Sequence, residues 1–322
     1  MVNKNKVLTI VVPCYNEEEV LPETIKELGG VLNNLIQSHE VASKSKILFV
    51  DDGSHDKTWN LIQKYEAEYL YISGIKFSRN FGHQNALIAG MTVAVSFSDM
   101  IITIDADLQD DINAIPKMVA EYYKGFDVVY GVRNNRDTDT AFKRKTAMAF
   151  YNLMQKLGVD MVPNSADYRL MSKRAVKNLL NFKEENLFLR GMVPLVGFPA
   201  TKVYYARKER FAGKSKYPLK KMIKFAADGI TSFSTTPIRM IMGLGFVIIF
   251  ISIIFIIYSL VRKFMGHTVV GWTSLMASIW LIGGIQLICV SVIGEYVGKI
   301  FKEVKHRPRF ILEEDDYTNK MR

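Results

Sequence analysis

The sequence predicts an α/β fold, a doubly wound and mostly parallel sheet, followed by two membrane-spanning helices. Short apolar, β-branched runs alternate with segments of helical spacing over about the first 130 residues, the pattern of a parallel sheet covered by helices. A polar cluster follows each apolar run, where open α/β sheets place their ligands. Two later apolar stretches, 238–261 and 272–297, each exceed the roughly 20 residues needed to span hydrocarbon.

The elements follow in order. Residues 7–12 form a first strand before Pro13, and 17–37 carry apolar residues at helical spacing. Strand 47–50 ends in Asp51-Asp52-Gly53-Ser54, and a helix at 56–69 takes Ser54 or Asp56 as its N-cap. Strand 72–77 leads through Ser78-Arg79-Asn80-Phe81-Gly82-His83 into a helix at 84–97. The central strand at 101–104 is followed by a helix at 112–124 and a strand at 127–131 that leads to Arg133. Residues 134–145 are charged and aperiodic, a loop, and 141–157 read as a helix.

With 322 residues, 49% of them apolar, the chain can bury more than one small core. The net charge of +10 calls for an anionic partner: nucleic acid, anionic lipid or a phosphorylated substrate. Cys14 and Cys289 lie in dissimilar contexts, which speaks against a disulfide. The apolar run at 7–12 is too short for a signal peptide, so the first domain is expected in the cytosol.

The stretch Met100–Asp111, M-I-I-T-I-D-A-D-L-Q-D-D, organises the rest. Asp105 and Asp107 are two apart, so on extended backbone both point to one side. Two hard oxygen donors suit Mg²⁺, which shares itself with water and substrate phosphate. The alternative is an acidic, solvated turn. Neither G-x-G-x-x-G nor a Walker A sequence is present.

Taken in order, P-C-Y-N-E, D-D-G-S, F-S-R-N-F-G-H and D-A-D-L-Q-D resemble the inverting family-2 glycosyltransferases of GT-A fold. Within them the chain is most similar to the polyprenyl-phosphate branch, dolichol-phosphate mannosyltransferases and bacterial undecaprenyl-phosphate glucosyltransferases, over essentially its whole length. The resemblance implies a nucleotide-sugar donor, with Pro13, Tyr15, Asn16 and Glu17 flanking the nucleoside and Asp51 and Asp52 on base or ribose. It puts Arg79 on donor phosphate and Asp105 with Ala106 on ribose or sugar. Asp107, with Gln109, would hold Mg²⁺ or Mn²⁺. Asp105, Asp107 and Asp167 form the catalytic set, with Asp167 of A-D-Y-R-L as base or as a group that orients the acceptor. Arg133, Arg169, Arg207, Arg210, Ser215, Lys216 and Tyr217 are assigned to donor diphosphate and acceptor phosphate. Plainer readings stand beside these: a turn and cap for 51–54, a surface ion pair for Arg79, an Arg169 partner for Asp167, a solvated basic face for 207–217.

Lys220, Lys221 and Lys224 alternate with apolar residues, a pattern suited to an anionic membrane surface. In the second apolar stretch Gly283 and Gly284 admit close helix packing, including a homo-oligomer, and Gln286 an interhelical hydrogen bond. Lys and Arg are denser outside the two stretches than between them, which puts both termini in the cytosol. The charge is then a membrane address, not a nucleic-acid footprint. The implied organisation is a catalytic domain at 1–209 and a basic, juxtamembrane segment at 210–236. A membrane hairpin at 237–298 and a basic-then-acidic tail at 299–322 complete it, and the sheet is expected to end before residue 235.

The expected activity is transfer of one hexose, by resemblance glucose from UDP-glucose, to undecaprenyl phosphate at the cytosolic membrane face, with UDP-N-acetylglucosamine or GDP-mannose as alternative donors. A processive polysaccharide synthase would carry Q-x-x-R-W, and none of Trp59, Trp272 or Trp280 follows an Arg. A non-catalytic membrane protein that binds nucleotide sugars is the reading from another class.

Overall fold

A computed structural model describes residues 5–134, 161–185, 187–207, 236–265 and 271–322. The loop at 134–145 (beyond Asn134), the helix at 141–157 and the basic segment at 210–235 lie outside these residues. The first four strands are β1 (Leu8–Cys14), β2 (Lys46–Asp51), β3 (Ile72–Phe77) and β4 (Met100–Thr103). Helices α1 (Leu21–Gln37), α2 (Thr58–Glu68), α3 (His83–Ala94) and α4 (Ala114–Tyr123) alternate with them. Then come β5 (Val128–Arg133), β6 (Ser165–Ser172), α5 (Lys173–Leu180), α6 (Leu189–Leu195) and β7 (Ala200–Tyr205).

All these strands and a late β8 (Leu312–Asp315) form one eight-stranded sheet in the order β7-β5-β6-β4-β1-β2-β3-β8. Two strands run against the rest: β6, inserted between β4 and β5, and β8, on the edge of β3. The order reverses at β1, whose neighbours are β2 on one side and β4 on the other. That reversal opens a crevice at the strand ends.

Alternation along each strand divides the core into two layers. Leu8, Ile10 and Val12 of β1 face Leu28 and Leu32 of α1 and Met118 of α4. Val11, Leu48 and Val50 face α3 and α5 on the other side. A Cβ on Gly90 would stand 2.3 Å from Val11 Cγ1, so α3 lies this close to β1 only because residue 90 lacks a side chain.

The helix α2 starts at Thr58, with no side-chain cap hydrogen bond at Lys57; Asp56 accepts from the Thr58 amide instead, at 3.0 Å. Ser54, the other expected cap, accepts from the Asn16 amide at 3.0 Å. It ties two loops together rather than starting a helix.

Both apolar stretches are helical, as α7 (Thr236–Phe264) and α8 (Trp272–Val304). Among the described residues one segment, Leu281–Val304, is long and apolar enough to cross a membrane. Past it the chain returns to the sheet, which corrects the expectation that the sheet ends before 235. The edge strand β8 pairs with β3, and α9 (Asp316–Met321) follows. Tyr317 is fully buried, its hydroxyl 2.8 Å from that of Thr9. Trp59 Nε1 donates to Glu314 at 3.0 Å, and Phe310 stacks on Phe77 at 5.5 Å.

Candidate active site

The crevice is built from loops that hold one another. Asn16, in left-handed backbone (φ 52), donates its amide to Ser54 and accepts from the His55 amide at 2.9 Å. The Glu17 amide donates to Thr58 Oγ1 at 2.9 Å. Tyr15 lies edge-on to His55 at 6.5 Å. The first two strand-end motifs, expected around a nucleoside, therefore form one wall.

The second motif is locked to the third. Asp52 accepts from the Phe81 amide at 2.6 Å and the Gly82 amide at 3.0 Å. Burial raises its pKa to about 6 even so. Gly53 has φ +65, and a Cβ there would fall 2.4 Å from the Arg79 carbonyl carbon, so a glycine lets the two loops touch. Asp51 has no exposed surface and accepts from the Ser54 amide at 3.3 Å. Both carboxylates, expected on base or ribose, face inward and brace the loops. Arg79 stays exposed, its guanidinium 3.9 Å over the Phe81 ring.

At the end of β4 the side chain of Asp105 keeps 36% of its surface open, while its Oδ1 is buried without a hydrogen bond. Burial pushes its carboxyl up to about 6 against the pull of His83. The Ala106 carbonyl accepts from Thr24 Oγ1 at 2.7 Å, which anchors the turn to α1. Leu108 is left-handed (φ 53), an uncommon state for a residue with a side chain. It folds the turn so that the Gln109 amide donates back to Asp107 at 3.2 Å, and Gln109 accepts a hydrogen bond from Arg207.

Among the described residues no group of three or more His, Cys, Asp or Glu is gathered to hold a metal ion. Asp107 and Gln109 provide two side-chain oxygens, a partial set that fits a cation completing its shell with water and phosphate.

Three cations surround Asp167 on β6: Arg169 at 2.6 Å, Arg190 at 3.3 Å and His83 at 3.7 Å. Burial opposes ionisation, but Arg190, His83 and Arg169 override it and hold this carboxyl well below the usual range. A carboxylate so stabilised is a poor proton acceptor.

Arg169, expected on phosphate, faces the interior. It is 2% exposed, and it donates to Asp167 and to the carbonyls of Ala166 and Leu189. It is an interior partner of Asp167. Arg133 sits at the crevice edge, bound to Asp110 together with Tyr205. Arg210, Ser215, Lys216 and Tyr217 lie outside the described residues.

Sequence reasoning passed over His83, Arg190, Asp110 and Tyr205 as site residues. His83 and Asp110 stood inside quoted motifs, as the end of F-S-R-N-F-G-H and the third acid of the central stretch. Arg190 and Tyr205 carry no local signal; only the packing of α6 and β7 brings them in.

The profile described as Glycosyl transferase family 2 matches residues 9–180, the part that carries β1 to β6 and α5. The chain belongs to glycosyl transferase family 2. This glycosyltransferase is 52% identical over 321 residues to the "Uncharacterized glycosyltransferase YkoT" of Bacillus subtilis (strain 168), covering 100% of this chain and 95% of that one. It is 38% identical over 317 residues to the "SfII prophage-derived bactoprenol glucosyl transferase" of Shigella flexneri, covering 97% and 99%. Among solved structures it is similar to glucosyl-3-phosphoglycerate synthase from Mycobacterium tuberculosis, with TM-score 0.47, 16% identity, and 71% and 79% of the two chains covered.

Proposed function

We propose that this glycosyltransferase moves a single hexose, glucose from UDP-glucose, onto undecaprenyl phosphate at the cytosolic face of the cell membrane. The observation that carries the reading is likeness to a bactoprenol glucosyl transferase across 97% of this chain, apolar helices and tail included. Likeness confined to the sheet would have left the acceptor open.

The wall of Tyr15, Asn16 and Glu17 takes the nucleoside. Arg79, Arg133 and Arg207 face the diphosphate, and Asp105 accepts from a hydroxyl of the ribose or sugar. An acceptor phosphate oxygen attacks the anomeric carbon as the bond to the diphosphate breaks, and the configuration inverts. That oxygen is already ionised at neutral pH, so the step needs almost no proton removal. The quenched carboxylate of Asp167 agrees with this, because its work is to hold Arg190 and His83. A Mg²⁺ or Mn²⁺ ion held by Asp107 and Gln109 would neutralise the leaving diphosphate.

The return of the chain to the sheet supports a two-span hairpin. Strands before and after α7 and α8 share one sheet, so the number of crossings between them is even. If Leu281–Val304 crosses, α7 crosses too. Glu303 already accepts from the Glu185 amide at 2.9 Å, which sets the catalytic domain close against the hairpin.

The test is the purified full chain in lipid nanodiscs with undecaprenyl phosphate, Mg²⁺ or Mn²⁺, and a panel of UDP-glucose, UDP-N-acetylglucosamine and GDP-mannose. Glucose in the lipid fraction is the expected result. Transfer only from another donor would replace the sugar, and no lipid product from any donor would sink the reading.

A further inference from the structure

Helix α3 opens with His83, and the contacts around that first turn fix the backbone that carries the imidazole. Gly82, with φ +97, makes the entry, and its amide and that of Phe81 are both held by Asp52. Asn85 Nδ2 donates to the Phe81 carbonyl at 2.8 Å. Gln84 Oε1 accepts from the Leu189 amide at 3.0 Å, tying the turn to the start of α6 and so to Arg190. Thus the backbone turn that carries the ring at the tip of α3 is held by two strand-end loops and a second helix.

The ring stands between two carboxylates from different strands. His83 Nε2 is 3.4 Å from Asp105 Oδ1, after β4, and 3.7 Å from Asp167 Oδ2, on β6. The strands β4 and β6 pair antiparallel, so the two carboxylates share one crevice end and repel each other. Asp107 and Asp110 add to the negative field on Asp105. Asp105 Oδ1 is buried with no hydrogen bond, and the contact with His83 offsets its charge. Neither contact has the length of a good hydrogen bond, so the ring acts as a charge between two charges rather than a relay.

We propose that His83 is a positioning residue for glycosyl transfer, which clamps Asp105 on the donor side and Asp167 on the acceptor side at a fixed separation. The inference rests on the donor side proposed above for Asp105 and on the acceptor-orienting role that the family resemblance implies for Asp167. Without a cation at this point, Asp105 would turn away from its repelling neighbours. That turn misplaces the donor sugar while the nucleoside wall and the arginines still bind the rest of the donor. The loss should therefore fall on turnover and spare donor binding. Misplacement on the scale of an ångström costs up to about a hundredfold in rate.

The experiment compares full-length wild type with His83→Asn, His83→Gln and His83→Lys in nanodiscs, using UDP-glucose and undecaprenyl phosphate, with thermal unfolding to identify folded variants. The two neutral variants guard against misfolding of either one. Expected are a kcat lowered about 10- to 100-fold in the folded neutral variants, a UDP-glucose KM within about threefold of wild type, and partial recovery of kcat in His83→Lys. Wild-type kcat in the neutral variants, a loss confined to KM, or a Lys variant no faster than the neutral ones would overturn the clamp. If wild type itself makes no glucosyl lipid, the proposed activity fails; if wild type is active and the variants match it, only the clamp fails.

Discussion

Arg133 donates two hydrogen bonds to a single oxygen of Asp110, at 3.1 and 2.8 Å, and the Tyr205 hydroxyl donates to the same oxygen at 2.6 Å. Asp110 is 3% exposed, so the third acid of the central stretch is an internal support that aims an arginine, not a ligand. Burial works against the Arg133 charge, but Asp110 raises its pKa above the ordinary arginine value, so it stays cationic. Asp110→Asn should leave a folded protein whose Arg133 is loosened, with a UDP-sugar affinity about tenfold weaker by calorimetry. Unchanged affinity would separate Arg133 from the donor.

Asp107→Asn should behave differently. Transfer should be abolished with the thermal midpoint nearly unchanged, since an isosteric Asn keeps an oxygen to accept from the Gln109 amide. EDTA should silence the wild type, and Mg²⁺ or Mn²⁺ should restore it. Full activity in chelator would remove the metal from the reaction.

The third expectation concerns the interior pair. Asp167→Asn leaves Arg169 charged and buried, at a cost of about 3–5 kcal/mol in stability. Asp167→Asn with Arg169→Met should regain most of that stability by chemical denaturation while transfer stays impaired. Recovery of both would reduce Asp167 to an ion-pair partner.

Stability should also follow the His83 charge. Burial would lower the imidazole pKa, but Asp105 and Asp167 raise it to about 9, against about 6.5 unfolded. Between those values the folded protein keeps a proton that the unfolded chain has lost. The contribution is full below about pH 6.5 and disappears as pH rises through about 9. The unfolding midpoint should fall over that window more steeply in wild type than in His83→Asn, and parallel curves would contradict the assignment.

Much of the parallel half was readable because its signals are local. Strand β3 spans 72–77 as its apolar run says, and α1 and α4 differ from their helical spacing by a few end residues. Strand β6 was not, because A-D-Y-R-L-M-S mixes charges with apolar residues. Its Asp and Arg are buried by pairing with each other, a tertiary fact. Strand β8 reads as an acidic tail, L-E-E-D, since a four-residue edge strand needs no apolar run. Its anchors lie some 250 positions earlier, at Trp59 and Gln63. In the site, the loops that donate backbone amides hid the inward duty of Asp52, because only side chains show in a sequence.

The edge strand should matter energetically. A chain ended after Arg309 keeps both apolar helices but bares the β3 edge and the site of Tyr317. It should unfold at a markedly lower temperature and aggregate, whereas Tyr317→Phe, which gives up only the hydroxyl contacts with Thr9 and Ser98, should lose about 1 kcal/mol. Equal stability of the shortened and full chains would make the strand an ornament of the edge.

That strand also puts folding in a particular order in time. β8 is translated after α7 and α8, so during synthesis the β3 edge waits, unpaired, while the intervening helices reach their destination. A nascent chain whose helices ended on the wrong side would hold Leu312–Asp315 apart from its partner, and the open edge would mark it for proteolysis. If the two helices cross a membrane as proposed, closing the sheet becomes an inspection step, because β8 reaches β3 only when the chain between them was delivered to the correct side.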